Sequence, residues 1–316
     1  MKKVLISGGS NGIGRGIALY MASHGWEVAF TYNNHPEGAQ ATREMIESAG
    51  GVCHVIETHL QEEGAPEDMV KKACGMMGGL DAYVCNAGRD GRHSVLSTTR
   101  TEMQAILDTN FLGYMLSAGE AARWMVRHGV RGCIVFITST RAVSAHPDDF
   151  LYGGIKAAVE RASRSMALDL SRYGIRVNCV APGATRVRDY QQLNVKPGDL
   201  VNGRPYWPIE DTIPMGRMGE PRDVAEAVAY LCGDGSSYVT GITLRVDGGL
   251  VLPGMPEWWA PCQWLNESWK EHAVQKMNEA FPDWGSSPEH SEETGETPDK
   301  GPAGKPKLPP DARIRC

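Results

Sequence analysis

The sequence predicts an α/β fold, with a doubly wound parallel sheet forming a single domain that carries a C-terminal extension. Three observations predict it. Short apolar runs alternate with longer helical patterns from residue 3 to residue 246. A glycine-rich turn stands between the first apolar run and the first helical pattern. The composition changes sharply after Gly249. Apolar strands that alternate with helices imply a parallel sheet covered on both faces.

Strands are expected at 3–7, 27–31, 52–56, 81–84, 132–138, 175–180 and 242–246. Helices are expected at 13–23, 38–48, 65–75, 100–127, 151–173 and 222–232. The first strand (KVLIS) runs into Gly8, Gly9, Ser10, Asn11, Gly12, Ile13 and Gly14, and a helical pattern follows through Ile17, Leu19, Tyr20 and Met21. Strand, glycine turn and helix start form the Rossmann-type arrangement that cradles a dinucleotide. The glycines allow a tight turn and close backbone approach, and the helix N-terminus faces the pyrophosphate. The spacing here is GxxxGxG rather than GxGxxG. In open α/β sheets ligands bind over the carboxyl ends of the strands.

Ser139, Tyr152 and Lys156 stand in ITS, twelve residues, then YGGIK. Residues i and i+4 of a helix share a face, so the Lys156 ammonium is expected beside the Tyr152 phenol. A nearby cation favours phenolate and lowers a tyrosine pKa. Such a tyrosine exchanges a proton with a carbonyl or alcohol oxygen. Ser139 ends a strand, where its hydroxyl faces the ligand crevice and stabilises developing charge. No GxSxG is present, so a hydrolytic role for Ser139 is not indicated.

Together these motifs resemble the short-chain dehydrogenase/reductase family over residues 3 to 250. SGGSNGIG at 7–14 is similar to the family's TGxxxGIG, CNAG at 85–88 to its NNAG, and Asn110 in DTNFLG to its helix asparagine. Ser139, Tyr152 and Lys156 match its serine and YxxxK. Pro182 and Gly183 match its post-strand turn, and YVTG with VDGG closes the match. The resemblance implies an NAD(P)H-dependent oxidoreductase that interconverts a ketone and a secondary alcohol by hydride transfer. The substrate is a sugar or polyol, a 3-oxoacyl thioester or a steroid-like ketone. Tyr152 is then general acid or base, Lys156 also bonds the nicotinamide ribose, and Asn110 holds a water in a proton relay. Gly8, Ser10, Asn11, Gly12, Ile13, Gly14, Asn86, Ala87, Gly88, Pro182 and Gly183 are implied to contact the cofactor. Cys85 departs from the family's first asparagine. Val187 stands where the family often has threonine, with Thr185 nearby.

The end of the second strand bears on the choice of nucleotide. An acid there accepts the ribose 2′-hydroxyl of NAD and repels a 2′-phosphate. EVAFTYNN places Tyr32 at that point, followed by Asn33 and Asn34. NADP(H) is therefore favoured, NAD(H) stays open, and Arg15 is a candidate to reach the phosphate. His59 and Leu60 replace the usual aspartate at the adenine edge. The substrate pocket is expected from 140–151 and 184–215, with Arg141, His146, Arg188, Tyr190, Tyr206 and Trp207 as candidates.

A formal charge of −6 offers no basic field for nucleic acid. No apolar run approaches the ~18–20 residues of a membrane span. The eight cysteines are scattered without a CxxC pair, which suits reduced thiols in a cytoplasmic protein. His54 and His59 fall on opposite faces of a strand, so no metal site is expected. The resemblance implies a homodimer or homotetramer through the two long helices.

Residues 1–252 are read as the catalytic domain, 253–284 as a partly helical extension and 285–316 as a disordered tail. The extension holds Trp258, Trp259, Trp264, Trp269 and Trp284, five of the eight tryptophans. QWLNESWKEHAVQKMNEAF at 263–281 spaces Leu265, Trp269, Val274, Met277 and Phe281 roughly as a helix does. The alternative reading is a non-catalytic nucleotide-binding or scaffold protein that uses this extension to bind a partner.

Overall fold

The computed structural model describes residues 1–91, 93–187, 200–201, 204–205, 209–252 and 267–280. The chain forms two compact units, Met1–Asn266 and Glu267–Cys316. The first is built on β1 (Lys3–Ile6), α1 (Gly12–Ser23), β2 (Glu27–Tyr32), α2 (Pro36–Ser48), β3 (Cys53–Glu57) and α3 (Ala65–Met77). It continues with β4 (Ala82–Cys85), α4 (Arg100–Leu107), α5 (Gly113–Arg127), β5 (Cys133–Ile137), α6 (Phe150–Ser171) and β6 (Arg176–Pro182). A short antiparallel pair, β7 (Leu200–Val201) with β8 (Arg204–Pro205), then α7 (Pro221–Cys232) and β9 (Thr243–Val246), completes it.

Seven strands form one sheet in the order β3-β2-β1-β4-β5-β6-β9. Every pairing in it is parallel. Val4 sits between Val28 of β2 and Ala82 of β4. The strand order reverses there, so the crevice above β1 and β4 is where such a sheet binds a ligand. Both faces of the strands are covered, which explains why they read as continuous apolar runs rather than alternating ones. Leu5, Tyr83, Ile134 and Phe136 pack in one core with α3, α5 and α6. Val4, Ile6, Val84 and Val135 pack in the other with α1, α2 and α7. Fully burying side chains of this size contributes about 1.5–3 kcal/mol each, so the central strands are the rigid floor of the site.

The expected elements are present with small shifts at their ends, and one differs in kind. The helical run over 100–127 is unbroken but not α-helical throughout. A π-helical segment, Asp108–Leu112, lies between α4 and α5. Thr99 and Glu102 cap α4 reciprocally: the Thr99 hydroxyl accepts from the Glu102 N–H, and the Glu102 carboxylate accepts from the Thr99 N–H. The described residues of 184–215 include β7, β8 and a 3₁₀ turn at Ile209–Thr212. Arg188, Tyr190, Tyr206 and Trp207 lie outside the described residues.

The second unit contains α8 (Glu267–Ala280), within the expected 263–281 helix. Its Val274 and Met277 are half-exposed. Leu265, Phe281, the side chain of Trp269 and the other four tryptophans of the extension lie outside the described residues, as does 285–316. Among the described residues no helix is long and apolar enough to cross a membrane.

Candidate active site

The glycine turn is shaped by steric exclusion. Gly8 and Gly12 have φ of 76° and 53°, conformations that side chains strain. A Cβ on Gly14 would overlap the Gly8 carbonyl oxygen. The Asn86 amide nitrogen donates to the carbonyls of Ser7 (3.0 Å) and Gly8 (2.8 Å). The Ser7 hydroxyl in turn accepts from the N–H groups of Asn86 and Ala87. The ends of β1 and β4 are thus stapled together. Helix α1 starts without a side-chain cap, so its first N–H groups remain open to an anion.

A cleft of about 400 Å³ lies over these strand ends. Of the expected cofactor residues, Gly8, Ser10, Asn11, Tyr32, Asn33, Asn86, Ala87 and Gly88 line it. Thr31, Asn34, His35, Thr58, Leu60, Gln61, Arg89 and Thr109 complete the wall. Among these described lining residues there is no carboxylate. Gly12, Ile13 and Gly14 sit behind the wall at the start of α1. Pro182 ends β6, and Gly183 donates to the Val246 carbonyl at 2.9 Å. Thr185 turns its hydroxyl to the Gly183 carbonyl at 3.2 Å. Val187 approaches the glycine turn, 3.3 Å from where a Cβ on Gly12 would stand. The cleft suits a dinucleotide: a glycine-rich turn, open helix N–H groups and polar side chains around the β2 end.

Arg15 does not reach towards a phosphate. Its guanidinium donates to Thr42 Oγ1 (2.9 Å) and to the carbonyls of Ser10 (2.5 Å) and Gly38 (3.1 Å). It ties the glycine turn to α2. Tyr32 donates its hydroxyl to Glu57 at 3.3 Å. A carboxylate therefore stands at the end of β3, one strand away from the end of β2.

The catalytic candidates converge at the end of β5. Ser139 follows that strand, Tyr152 and Lys156 lie on α6, and Asn110 lies in the π segment. The Ser139 hydroxyl lies near enough to the Tyr152 phenol to favour its phenolate form. The Lys156 ammonium is 5.6 Å from the Tyr152 ring centre and 4.9 Å from that of Tyr114. It donates to the Ile137 carbonyl at 2.8 Å and the Tyr114 hydroxyl at 3.4 Å. Burial pulls its pKa down to about 8.

The expected lowering of the Tyr152 pKa is corrected by the structure. Burial, with the Asp90 carboxylate adding to it, pushes it up to about 12. The opposing cation is Arg141, whose guanidinium carbon lies 5.0 Å from the ring centre. The Ser139 hydroxyl also lowers it, while Asp149 raises it. The i,i+4 spacing did bring lysine and tyrosine together. The ammonium, however, turns to the Ile137 carbonyl, which satisfies a buried donor at a strand end.

Asn110 is fully buried. Its carbonyl oxygen accepts from the Arg89 N–H, and its amide donates to the Arg89 carbonyl, both at 2.8 Å. Its side chain therefore fastens the loop after β4.

Sequence reasoning did not single out Tyr114, Asp90 or Asp149. Tyr114 had one usable signal, its place four residues after Asn110 on the same helical run. Arg141 and His146 line a separate cavity of about 460 Å³ with Phe150, Gly153 and Gly154. Among the described residues no three His, Cys, Asp or Glu side chains gather into a metal site.

Residues 8–251 match the family model described as enoyl-(acyl carrier protein) reductase. The chain belongs to the short-chain dehydrogenase/reductase family. It is 35% identical to a glucose 1-dehydrogenase from Gluconobacter oxydans, over 80% of this chain and 93% of that one. It is 32% identical to 3beta-hydroxysteroid dehydrogenase 1 from Eggerthella lenta, over 80% of this chain and 95% of the relative. An acetoin dehydrogenase from Salmonella typhimurium superposes with a TM-score of 0.72 at 30% identity, covering 82% of this chain and all of that one. As a short-chain dehydrogenase/reductase the protein is an oxidoreductase acting on CH–OH groups with an NAD(P) cofactor. Its parallel sheet and the cleft at the strand reversal are the structural expression of that membership.

Proposed function

We propose that this enzyme interconverts a ketone and a secondary alcohol, with Tyr152 as general acid in reduction and general base in oxidation. The observation that carries the proposal is the convergence of Ser139, Tyr152 and buried Lys156 at the carboxyl end of β5. Bound nicotinamide supplies or accepts the hydride. Ser139 holds the reacting oxygen and stabilises charge on it. Tyr152 gives or takes the proton at that oxygen. Lys156, braced by Ile137 and Tyr114, presents an ammonium below the phenol and bonds the nicotinamide ribose. Gly8 to Gly14, with Asn86 to Gly88, hold the pyrophosphate and adenine-ribose side, and Pro182, Gly183 and Thr185 the nicotinamide side.

NADP(H) is preferred over NAD(H) in this reading. The cleft wall at the β2 end carries Tyr32, Asn33, Asn34 and His35 and no acid. The Glu57 carboxylate is engaged by the Tyr32 hydroxyl. Arg15 lends no support, because its Nε and one terminal nitrogen are bonded within the fold. The ratio of kcat/KM for the two nucleotides measures the preference; a ratio favouring NADH would reverse it.

The substrate is a sugar or polyol, a 3-oxoacyl thioester or a steroid-like ketone, and the relatives' names include a sugar and a steroid. Loss of nicotinamide absorbance with NADPH and a ketone panel tests the activity. Tyr152→Phe should lose at least a thousandfold in kcat while still binding the nucleotide, on the order of a general acid–base contribution. Equal turnover by wild type and Tyr152→Phe would remove the assignment.

A homodimer or homotetramer is proposed through α5 and α6, where Leu116 and Leu168 are exposed. A monomer in sedimentation would exclude it. Cytoplasmic location is proposed from the six described cysteines, all buried and free. Cell fractionation that recovered the enzyme elsewhere would refute it.

A further inference from the structure

We propose that Arg141 is the positioning residue for Tyr152: its guanidinium, stacked on the phenol ring and braced by Asp90 and Asp149, sets the ring's orientation and local charge balance. This rests on the reading of Tyr152 as the proton-transfer group. It assigns to Arg141 the tuning that the Tyr-x-x-x-Lys spacing assigns to Lys156.

Four features of the site support it. The guanidinium is nearer the Tyr152 ring centre than the Lys156 ammonium, 5.0 Å against 5.6 Å. Arg141 bridges two carboxylates, Asp90 at 3.0 Å and Asp149 at 3.3 Å. The Asp149 side chain is only 2% exposed, and a buried carboxylate holds a cationic partner strongly. The Arg141 N–H donates to Ser139 Oγ at 3.2 Å, so one residue contacts both members of the Ser139–Tyr152 pair.

The approach of this segment to α6 is built into the backbone. A Cβ on Gly153, the residue after Tyr152, would stand 2.7 Å from the Arg141 carbonyl and 3.0 Å from Asp149 Oδ2. Only a glycine there lets the two segments touch. Asp148 takes a left-handed conformation (φ 58°), and its carbonyl accepts from the His93 N–H at 2.7 Å. This secures the turn that delivers Asp149.

The groups facing Tyr152 come from four directions. Lys156 rises from α6 and Asp149 from just before it. Arg141 and Ser139 come from the segment after β5, Asp90 from the loop after β4, and Tyr114 from α5. His93, His146 and Asp148 line the adjoining cavity that Arg141 also lines. Arg141 favours the phenolate; Asp90 and Asp149 oppose it.

The decisive experiment is the pH profile of kcat/KM for alcohol oxidation in wild type, Arg141→Gln, Arg141→Lys and Asp90→Asn. Oxidation needs the deprotonated tyrosine, so its acid limb follows the phenol. Arg141→Gln should move that limb up by about one unit, the scale of one nearby charge, and lower the rate about tenfold at a fixed pH on the limb. Asp90→Asn should move it down. Arg141→Lys should fall between wild type and glutamine. Opposite shifts from two partners of one ion pair are not produced by general loosening of the site. Limbs that stay in place, or that move the same way in Arg141→Gln and Asp90→Asn, would overturn the proposal. Asp90 is largely exposed, so Asp90→Asn decides alone if Arg141→Gln fails to fold. Tyr152→Phe that keeps full activity would instead remove the underlying reading of the tyrosine.

Discussion

Lys156 carries a charge into the interior, where it is 3% exposed. Its pKa falls from 10.5 to about 8 through burial. That displacement corresponds to about 3 kcal/mol of folding free energy. For a base with a depressed folded pKa, the cost is full below the folded value, where both states are protonated. Between about 8 and 10.5 the unfolded chain binds the proton and the folded chain does not, so stability rises with pH. By pH 9.5 the remaining cost is about 1 kcal/mol. Lys156→Met keeps the side-chain length and removes the charge. It also removes the donors to Ile137 and Tyr114, a loss of about 1–2 kcal/mol. The variant should therefore be about 1–2 kcal/mol more stable than wild type at pH 7 while losing turnover. Its advantage should shrink by about 2 kcal/mol on going to pH 9.5. Urea unfolding of both proteins at the two pH values reads this directly, because the other titrating groups cancel in the difference. A methionine variant less stable at pH 7, or a gap that ignores pH, would refute the reasoning.

Gly14→Ala should weaken nucleotide binding at least tenfold and destabilise the fold by about 1–3 kcal/mol, since its methyl would overlap the Gly8 carbonyl oxygen. Fluorescence titration with NADPH and urea unfolding measure the two effects; binding at wild-type strength would show that the turn relaxes. We also propose residues 1–252 as the catalytic unit, with 253–284 and 285–316 outside the chemistry. A chain ending at Leu252 should then keep kcat within about twofold, on the uniform-binding logic of mutant kinetics. A loss of kcat alone would place the extension at the active site.

The strands were legible because both faces of the sheet are covered, leaving unbroken apolar runs such as CIVFI at Cys133–Ile137. The glycine turn was legible because backbone contacts exclude side chains there. What stayed hidden depends on contacts between distant segments. The parallel register sets Tyr32 opposite Glu57, and no local pattern announces that a strand-end acid will come from β3. The π segment at Asp108–Leu112 was hidden because one extra residue in a turn leaves the apolar spacing on either side looking helical. The Tyr152–Lys156 spacing was read correctly. The Ile137 carbonyl that draws the ammonium away belongs to β5, nineteen residues earlier. Arg15 has the composition of an anion site, but its guanidinium is bonded to the Thr42 hydroxyl and to carbonyls of the turn and of α2.

The pairing of Asn110 with Arg89 has a stereochemical consequence. One side-chain amide offers a donor and an acceptor from a single carbon, and one peptide unit takes up both. Aspartate would set an oxygen against the Arg89 carbonyl. Leucine would match the volume and leave both backbone groups bare. Glutamine would overshoot by a methylene. The π segment therefore has a lock that accepts one residue type. The residue it fastens is joined directly to Asp90, which pairs with the Arg141 that lies over the Tyr152 ring.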